Sequence, residues 1–373
     1  SSIATMGEKA SKPASPKAAA PPEAKIVEAP VQWTDKYELA DNRPLGQGSF
    51  GTVHKVMCKS SSRWRALKTI PREKIDNEKQ LRMELELMMQ IQAKNENMIR
   101  LIEHFEDKKG FYIVLEYLQG GELESRMSRA LDEPTAAKYM KQMLNALFWL
   151  HDTAGIAHRD LKPENFMFHT NEELSPLKLI DFGLAARFCV GHEEKKLTEA
   201  VGTPYFVAPE VVTSVRGKVE YAGPPADMWS VGVILYFMVS NARPFSASTL
   251  DGLLSVLRGF QSLDSRLATP RWRDKSPEVK QLLGNLIRRN PEERLTASQA
   301  LQHEWITRHT VEEDRPSITP LVRALWVTEQ MDEGNMRVSV EPPCIPGERD
   351  PVPLEPMQTV VEEGGASVER SLI

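Results

Sequence analysis

The sequence predicts an α+β protein of two lobes, a small β-rich lobe with one main helix followed by a larger, mostly α lobe. Three observations carry this reading. Residues 37–117 alternate strand-like apolar runs around one helical stretch; residues after Gly120-Gly121 turn to helical spacing and keep it to about 306; residues 1–30 hold few bulky apolar residues, and prolines return after Trp305. In the first lobe, Thr52-Val53-His54-Lys55-Val56 reads as a strand, 78–92 as the helix, and 98–106 and 111–117 as further strands. In the second, 135–152, 226–239, 250–259, 277–289 and 297–303 show helical spacing punctuated by Gly, Asn or Pro.

Composition narrows the partners. With 373 residues, 41% hydrophobic and 27% charged, the chain can bury two cores and is neither collagenous nor wholly disordered. The formal charge of −5 is uneven, since residues 309–373 carry thirteen acids and five bases. No basic excess of the kind that nucleic acid attracts remains, so nucleic acid is not an expected partner. The longest apolar run, 228–239, is interrupted by Ser230 and falls short of the roughly 18 to 20 residues of a bilayer span, so no transmembrane segment is expected. Cys58, Cys189 and Cys344 form no CxxC metal pair, no secretory signal opens the chain, and the expected location is cytoplasmic. Residues 1–36 read as a disordered Ala-, Pro- and Lys-rich tail, 37–306 as the folded domain with its lobes divided at 117/118, and 307–373 as an acidic, Pro-rich tail.

The first chemical signal is Gly46-Gln47-Gly48-Ser49-Phe50-Gly51-Thr52-Val53, in which small residues let backbone N–H groups approach phosphates. Dinucleotide folds place a helix after such glycines; here a β-type run follows, which favours a phosphate-covering hairpin. Lys68, in Arg65-Ala66-Leu67-Lys68, ends an apolar strand where a point charge can meet phosphate oxygens; a solvated strand lysine is the competing reading. Then come His158-Arg159-Asp160-Leu161-Lys162-Pro163-Glu164-Asn165, Asp181-Phe182-Gly183 and Ala208-Pro209-Glu210.

With these in order over about residues 37–306, the chain resembles the eukaryotic protein kinases and the bilobal protein kinase fold is expected. The resemblance implies ATP and Mg²⁺ as cofactors and protein substrates as partners. It implies that Asp160 receives the hydroxyl proton, that Lys162 neutralises the γ-phosphate, that Asn165 and Asp181 hold the metal, and that Lys68 pairs with the helix glutamate Glu84, its neighbour Glu86 being the competing reading. Leu45, Gly46, Gly48, Ser49, Phe50, Gly51, Val53, Ala66 and Lys68 would cover ATP from the first lobe. Val114-Leu115-Glu116-Tyr117-Leu118 resembles the interlobe hinge, with Leu115 as gatekeeper, the Glu116 carbonyl and Leu118 amide reading adenine, and Glu122 near the ribose. Glu210 with Arg294, and Asp227, resemble scaffold groups that brace the second lobe. A scaffold acting by binding alone would be expected to have lost Lys68, Asp160, Asn165 or Asp181, and all four are present.

Lys162 and Gly202-Thr203-Pro204-Tyr205 resemble the serine/threonine branch, and Thr203 is a candidate substrate-binding residue. Gly120-Gly121-Glu122-Leu123, Lys178-Leu179-Ile180-Asp181 and His303-Glu304-Trp305-Ile306 are similar to the calcium/calmodulin-dependent group, most of all to the calcium-dependent protein kinases of plants and protists. Glu122 and Glu164 sit where basophilic members receive an arginine ahead of the phosphoacceptor. The departure is that no D-x-[DN]-x-[DN]-G loop follows residue 306, so EF-hand calcium binding is not expected of this chain. Calmodulin is a candidate partner through Leu321-Val322-Arg323-Ala324-Leu325-Trp326-Val327, which offers a Trp anchor but a single base; a helix packed on the second lobe, or disorder, is the competing reading. Met6-Gly7-Glu8-Lys9-Ala10-Ser11 fits N-myristoylation at Gly7 if translation begins at Met6, which would give partial membrane association, against a chance match. In the activation loop, Glu199 stands where related kinases carry a phosphothreonine that pairs with the arginine before the catalytic aspartate, here Arg159; phosphorylation of Thr198 is the rival reading.

Overall fold

The structure is a computed structural model that describes residues 31–310, apart from 49–50, 76, 92–94, 174, 191–192 and 215–219. Ser49, Phe50, the Met6–Ser11 motif and the Leu321–Val327 segment lie outside the described residues. After a short helix α1 (Trp33–Lys36), strands β1 (Tyr37–Gly48), β2 (Gly51–Cys58), β3 (Trp64–Pro71), β4 (Leu101–Glu106) and β5 (Gly110–Glu116) form one antiparallel sheet in the order β1-β2-β3-β5-β4. β5 reads Gly-Phe-Tyr-Ile-Val-Leu-Glu with almost no polar alternation, the pattern of a strand covered on both faces, and it lies inside the sheet between β3 and β4. Helix α2 (Glu78–Ile91) buries Leu81, Leu85 and Met88, one face at helical spacing, in the same core as Phe111 and Ile113 of β5. The expected strand from residue 98 begins instead at Leu101, because Met98 bridges Leu179 and leaves the sheet edge.

The second lobe is built on α3 (Glu133–Phe148), α4 (Pro209–Ser214), α5 (Gly223–Ser240), α6 (Leu250–Gly259), α7 (Asp264–Leu267), α8 (Pro277–Leu286), α9 (Ala297–Leu301) and α10 (Glu304–His309). Several start where a side chain satisfies free N–H groups: Asp132 accepts from Thr135 N at 2.8 Å, Ser276 from Val279 N at 3.2 Å, and Thr296 and Gln299 form a capping box. The helix expected at 297–303 ends at Leu301, and a second helix, α10, follows it from Glu304 because His303 turns the chain and caps it by accepting from Trp305 N. Helix α5 is apolar all round and nearly every residue is buried, which marks it as the axis of the lobe. Trp229 on it stacks on Phe245 at 5.3 Å, and Trp272 and Trp305 are also fully buried. Among the described residues no helix is long and apolar enough to cross a membrane.

Between the lobes run four short strands, β6 (Ile156–Ala157), β7 (Phe166–Phe168), β8 (Leu177–Leu179) and β9 (Ala186–Arg187), in the antiparallel pairs β6-β9 and β7-β8. The loops after β6 and β8 carry the chemically interesting residues.

Candidate active site

Asp227 is a carboxylate in an otherwise apolar helix, 1% exposed, and a buried charge persists only where it is fully hydrogen-bonded. Its Oδ2 accepts from His158 N and meets His151 Nε2, and its Oδ1 accepts from Arg159 N, all at 2.8 Å. These bonds hold Arg159 at φ 69°, a left-handed conformation that side chains avoid. The strained turn delivers Asp160. Lys162 Nζ donates to Asp160 Oδ2 at 2.8 Å, Thr203 Oγ1 donates to Oδ1 at 2.7 Å, and Lys162 also reaches Thr203 Oγ1 at 3.2 Å. Burial pushes the Asp160 carboxyl up, but the hydrogen bonds from Lys162 and Thr203 outweigh it and hold the group below the ordinary aspartate range. It is therefore an anion at neutral pH. The approach of Thr203 requires Gly202: at φ 114°, a Cβ there would lie 2.6 Å from the Arg159 carbonyl oxygen.

Across the cleft, β3 places Lys68 opposite Val53 and Ile113, with Nζ 3.5 Å from Glu84 Oε1. Glu86, the neighbouring candidate, is exposed. Burial works against the Lys68 charge, and Glu84 and Asp181 outweigh it, so the ammonium is raised above its ordinary value. Asp181 follows β8 at φ 62°, another left-handed position, and accepts from Gly183 N at 3.3 Å. Asn165 is buried and donates to the Asp160 carbonyl at 2.8 Å, which ties it to the same loop. Asp181 and Asn165 offer hard oxygen donors, and among the described residues no group of three or more His, Cys, Asp or Glu forms a closed metal cage. That donor set suits a hard divalent cation completed by phosphate and water rather than a structural metal.

Above the cleft, Gly46 pairs with Val53 and Gly48 with Gly51. A Cβ on Gly51 would lie 1.9 Å from the Thr69 carbonyl oxygen, so this hairpin packs backbone to backbone on β3. Leu45 is exposed at the rim, while Ala66 is buried and pairs with Leu115 of β5. Glu116 and Leu118, at the end of β5, are buried; Glu122 is exposed just beyond. Burial, then the nearby charges of Glu164 and Glu124, raise the Glu122 carboxyl. Glu164 Oε2 is itself buried without a hydrogen-bond partner. Among the described residues, no cation forms an ion pair with either acid.

Two further contacts fix the lower lobe. Arg294, whose side chain is fully buried, grips Glu210 with a fork of 2.6 and 2.8 Å, and Arg159 Nη1 donates to Glu199 Oε2 at 3.0 Å. Thr198 beside it is exposed. Sequence reasoning overlooked Lys178 and His151. The alternation Leu177-Lys178-Leu179 would send Lys178 to solvent, yet it is buried; no short-range pattern reports its partner, Glu116, sixty-two residues away.

Residues 39–306 match the protein kinase domain family. The chain belongs to the protein kinase family. Among its relatives, it is 37% identical over 277 residues to calcium-dependent protein kinase 5 of Plasmodium falciparum, covering 74% of this chain and 46% of that one. It is 36% identical over 306 residues to calcium-dependent protein kinase 25 of Arabidopsis thaliana, covering 80% and 56%, and 35% identical over 318 residues to calcium-dependent protein kinase 26 of the same plant, covering 82% and 62%. The chain therefore spans about half the length of the curated relatives it matches. The sheet lobe and helical lobe form the bilobal kinase fold, and kinase membership implies the use of ATP with a divalent cation.

Proposed function

We propose that this kinase transfers the γ-phosphoryl group of Mg-ATP to serine or threonine hydroxyls of protein substrates that carry a basic residue ahead of the acceptor. The observation that carries the reading is the double grip on Asp160, with Lys162 on one carboxylate oxygen and Thr203 on the other. An ionised, fixed carboxylate can orient an incoming hydroxyl and accept its proton as the oxygen–phosphorus bond forms and the bond to ADP breaks. Lys162, beside it, is suited to the γ-phosphate, and Lys68 to the inner phosphates, with Glu84 holding its ammonium in place. Asp181 and Asn165 are the residues that would hold Mg²⁺, which neutralises phosphate charge when bound. The hairpin of Gly46, Gly48 and Gly51 with Val53 covers the nucleotide, Ala66 lies against its base with Leu115 as gatekeeper beside it, and the backbones of Glu116 and Leu118 meet its edge. Glu122 and Glu164, the latter with Oε2 buried and unpartnered, supply the acids for a substrate arginine.

The test is a peptide-library phosphorylation assay on the purified chain in chelator, in calcium, and in calcium with calmodulin. Transfer to Ser/Thr peptides with upstream arginine is expected in all three, and Asp160→Asn or Lys68→Met should each lower kcat by about 10³-fold or more with the fold intact. Undiminished turnover in Asp160→Asn overturns the assignment of the base.

A further inference from the structure

The carboxylate of Glu116 has no role in reading adenine, which the backbone performs, yet it is buried and held by three partners. It lies at the last residue of β5 with its side chain 8% exposed. Lys178 Nζ meets Oε1 at 2.8 Å, Arg100 N donates to the same oxygen at 2.8 Å, and His169 Nδ1 lies 3.4 Å from Oε2. Burial pushes this carboxyl up, but Lys178 and His169 outweigh it and bring it to about 2. The partners come from three places: Arg100 precedes β4, His169 follows β7, and Lys178 is the middle residue of β8. β8 is in turn fixed to the upper lobe, since Leu179 N donates to Asn97 O at 2.8 Å and Ile99 N to Leu179 O at 2.9 Å. Three residues beyond Lys178 the chain reaches Asp181.

We propose that Lys178 is a positioning residue for the nucleotide: through Glu116 it clasps the hinge to β8 and so fixes the distance between the adenine edge and the phosphate-side Asp181. The inference rests on the ATP site proposed above. A buried ion pair adds little net stability against an apolar substitute, because desolvation consumes the attraction. What it does supply is a fixed geometry between two strands, and a nucleotide touching both ends binds best when that geometry exists before it arrives. The clasp acts on binding rather than on the chemical step, because neither side chain approaches Asp160.

The experiment measures ADP affinity by calorimetry together with KM and kcat. K178M should weaken ADP binding and raise KM for ATP about tenfold, leave kcat and KM for peptide within about twofold, and K178R should restore both nucleotide constants. Because K178M leaves the Glu116 charge buried without its main partner, a second variant is needed. E116Q/K178M removes that charge, should recover the melting temperature lost by K178M, and should keep the weakened ADP binding. Wild-type ADP affinity in either folded variant, or losses shared equally by ATP, peptide and kcat, overturns the clasp. A wild-type chain that binds ADP but transfers no phosphoryl group overturns the proposed function instead, and the ADP comparison still decides the clasp.

Discussion

Arg159 and Glu199 meet at 3.0 Å, the guanidinium almost wholly buried and the carboxylate 71% exposed. The same arginine is bonded through its backbone to Asp227 and through Nε to the Leu184 carbonyl at 2.6 Å, so Glu199 ties the activation loop to the catalytic turn and to the segment after Asp181. A carboxylate carries −1 against roughly −1.5 to −2 for a phosphate, enough to hold the arginine permanently though less firmly. Phosphatase-treated enzyme is therefore expected to be active, with Glu199→Ala lowering kcat about tenfold and Thr198→Ala leaving it unchanged. An inactive Thr198→Ala would assign the switch to phosphorylation of Thr198.

Thr203 offers a second, sharper test. Its hydroxyl donates to one Asp160 oxygen and accepts from Lys162, closing a three-membered ring of contacts. Thr203→Val preserves shape and removes both bonds, so kcat should fall by about 10- to 100-fold with little change in KM for ATP, while Thr203→Ser should keep most activity. Loss in Ser with full activity in Val would mean that the methyl, not the hydroxyl, matters.

The order of elements and the short polar signatures were legible because each is local: glycines in a hairpin, a lysine on an alternating strand, and a catalytic loop whose residue types are dictated by phosphate chemistry. Choosing Glu84 over Glu86 was not local, since both lie on the same two turns of α2. Only the packing of Leu81, Leu85 and Met88 into the core sets which acid faces Lys68. The Glu116–Lys178 pair was illegible for a related reason. A buried charge breaks the alternation that sequence patterns rely on, and its partner is supplied by the fold rather than by neighbours in the chain.

Glu122 and Glu164 predict substrate preference. Burial and the neighbouring charge of Glu164 raise the Glu122 carboxyl, Glu164 Oε2 is buried without a hydrogen-bond partner, and a guanidinium between the two acids would serve both. Glu164→Gln and Glu122→Gln should each raise KM about tenfold for peptides with arginine ahead of the acceptor, and hardly at all for the same peptides with alanine there. The arginine preference of the wild type should also weaken with added salt, as expected for a partly exposed charge pair. A salt-independent preference, or one untouched by both substitutions, would remove these acids from substrate reading.

The last prediction concerns acid stability and follows from Glu116. Its carboxyl titrates at about 2 in the folded protein against an ordinary 4.5, so the folded state binds this proton less readily than the unfolded chain. A depressed folded value means stability that is fully present above the unfolded value and is lost as pH falls through the folded one; here the window runs from about pH 5 down to about 2. The shift corresponds to roughly 3 kcal/mol. Glu116→Gln removes the titration but keeps a hydrogen-bonding oxygen for Arg100 N. Urea unfolding across that window should show wild-type stability falling more steeply with acidification than that of Glu116→Gln, by up to about 1.4 kcal/mol per pH unit. Above pH 6 the two curves should run parallel, with the variant lower because Lys178 then lacks its counter-charge. Parallel curves through the acid window would mean that Glu116 is not held ionised, and that Lys178 does not grip it as the 2.8 Å contact implies.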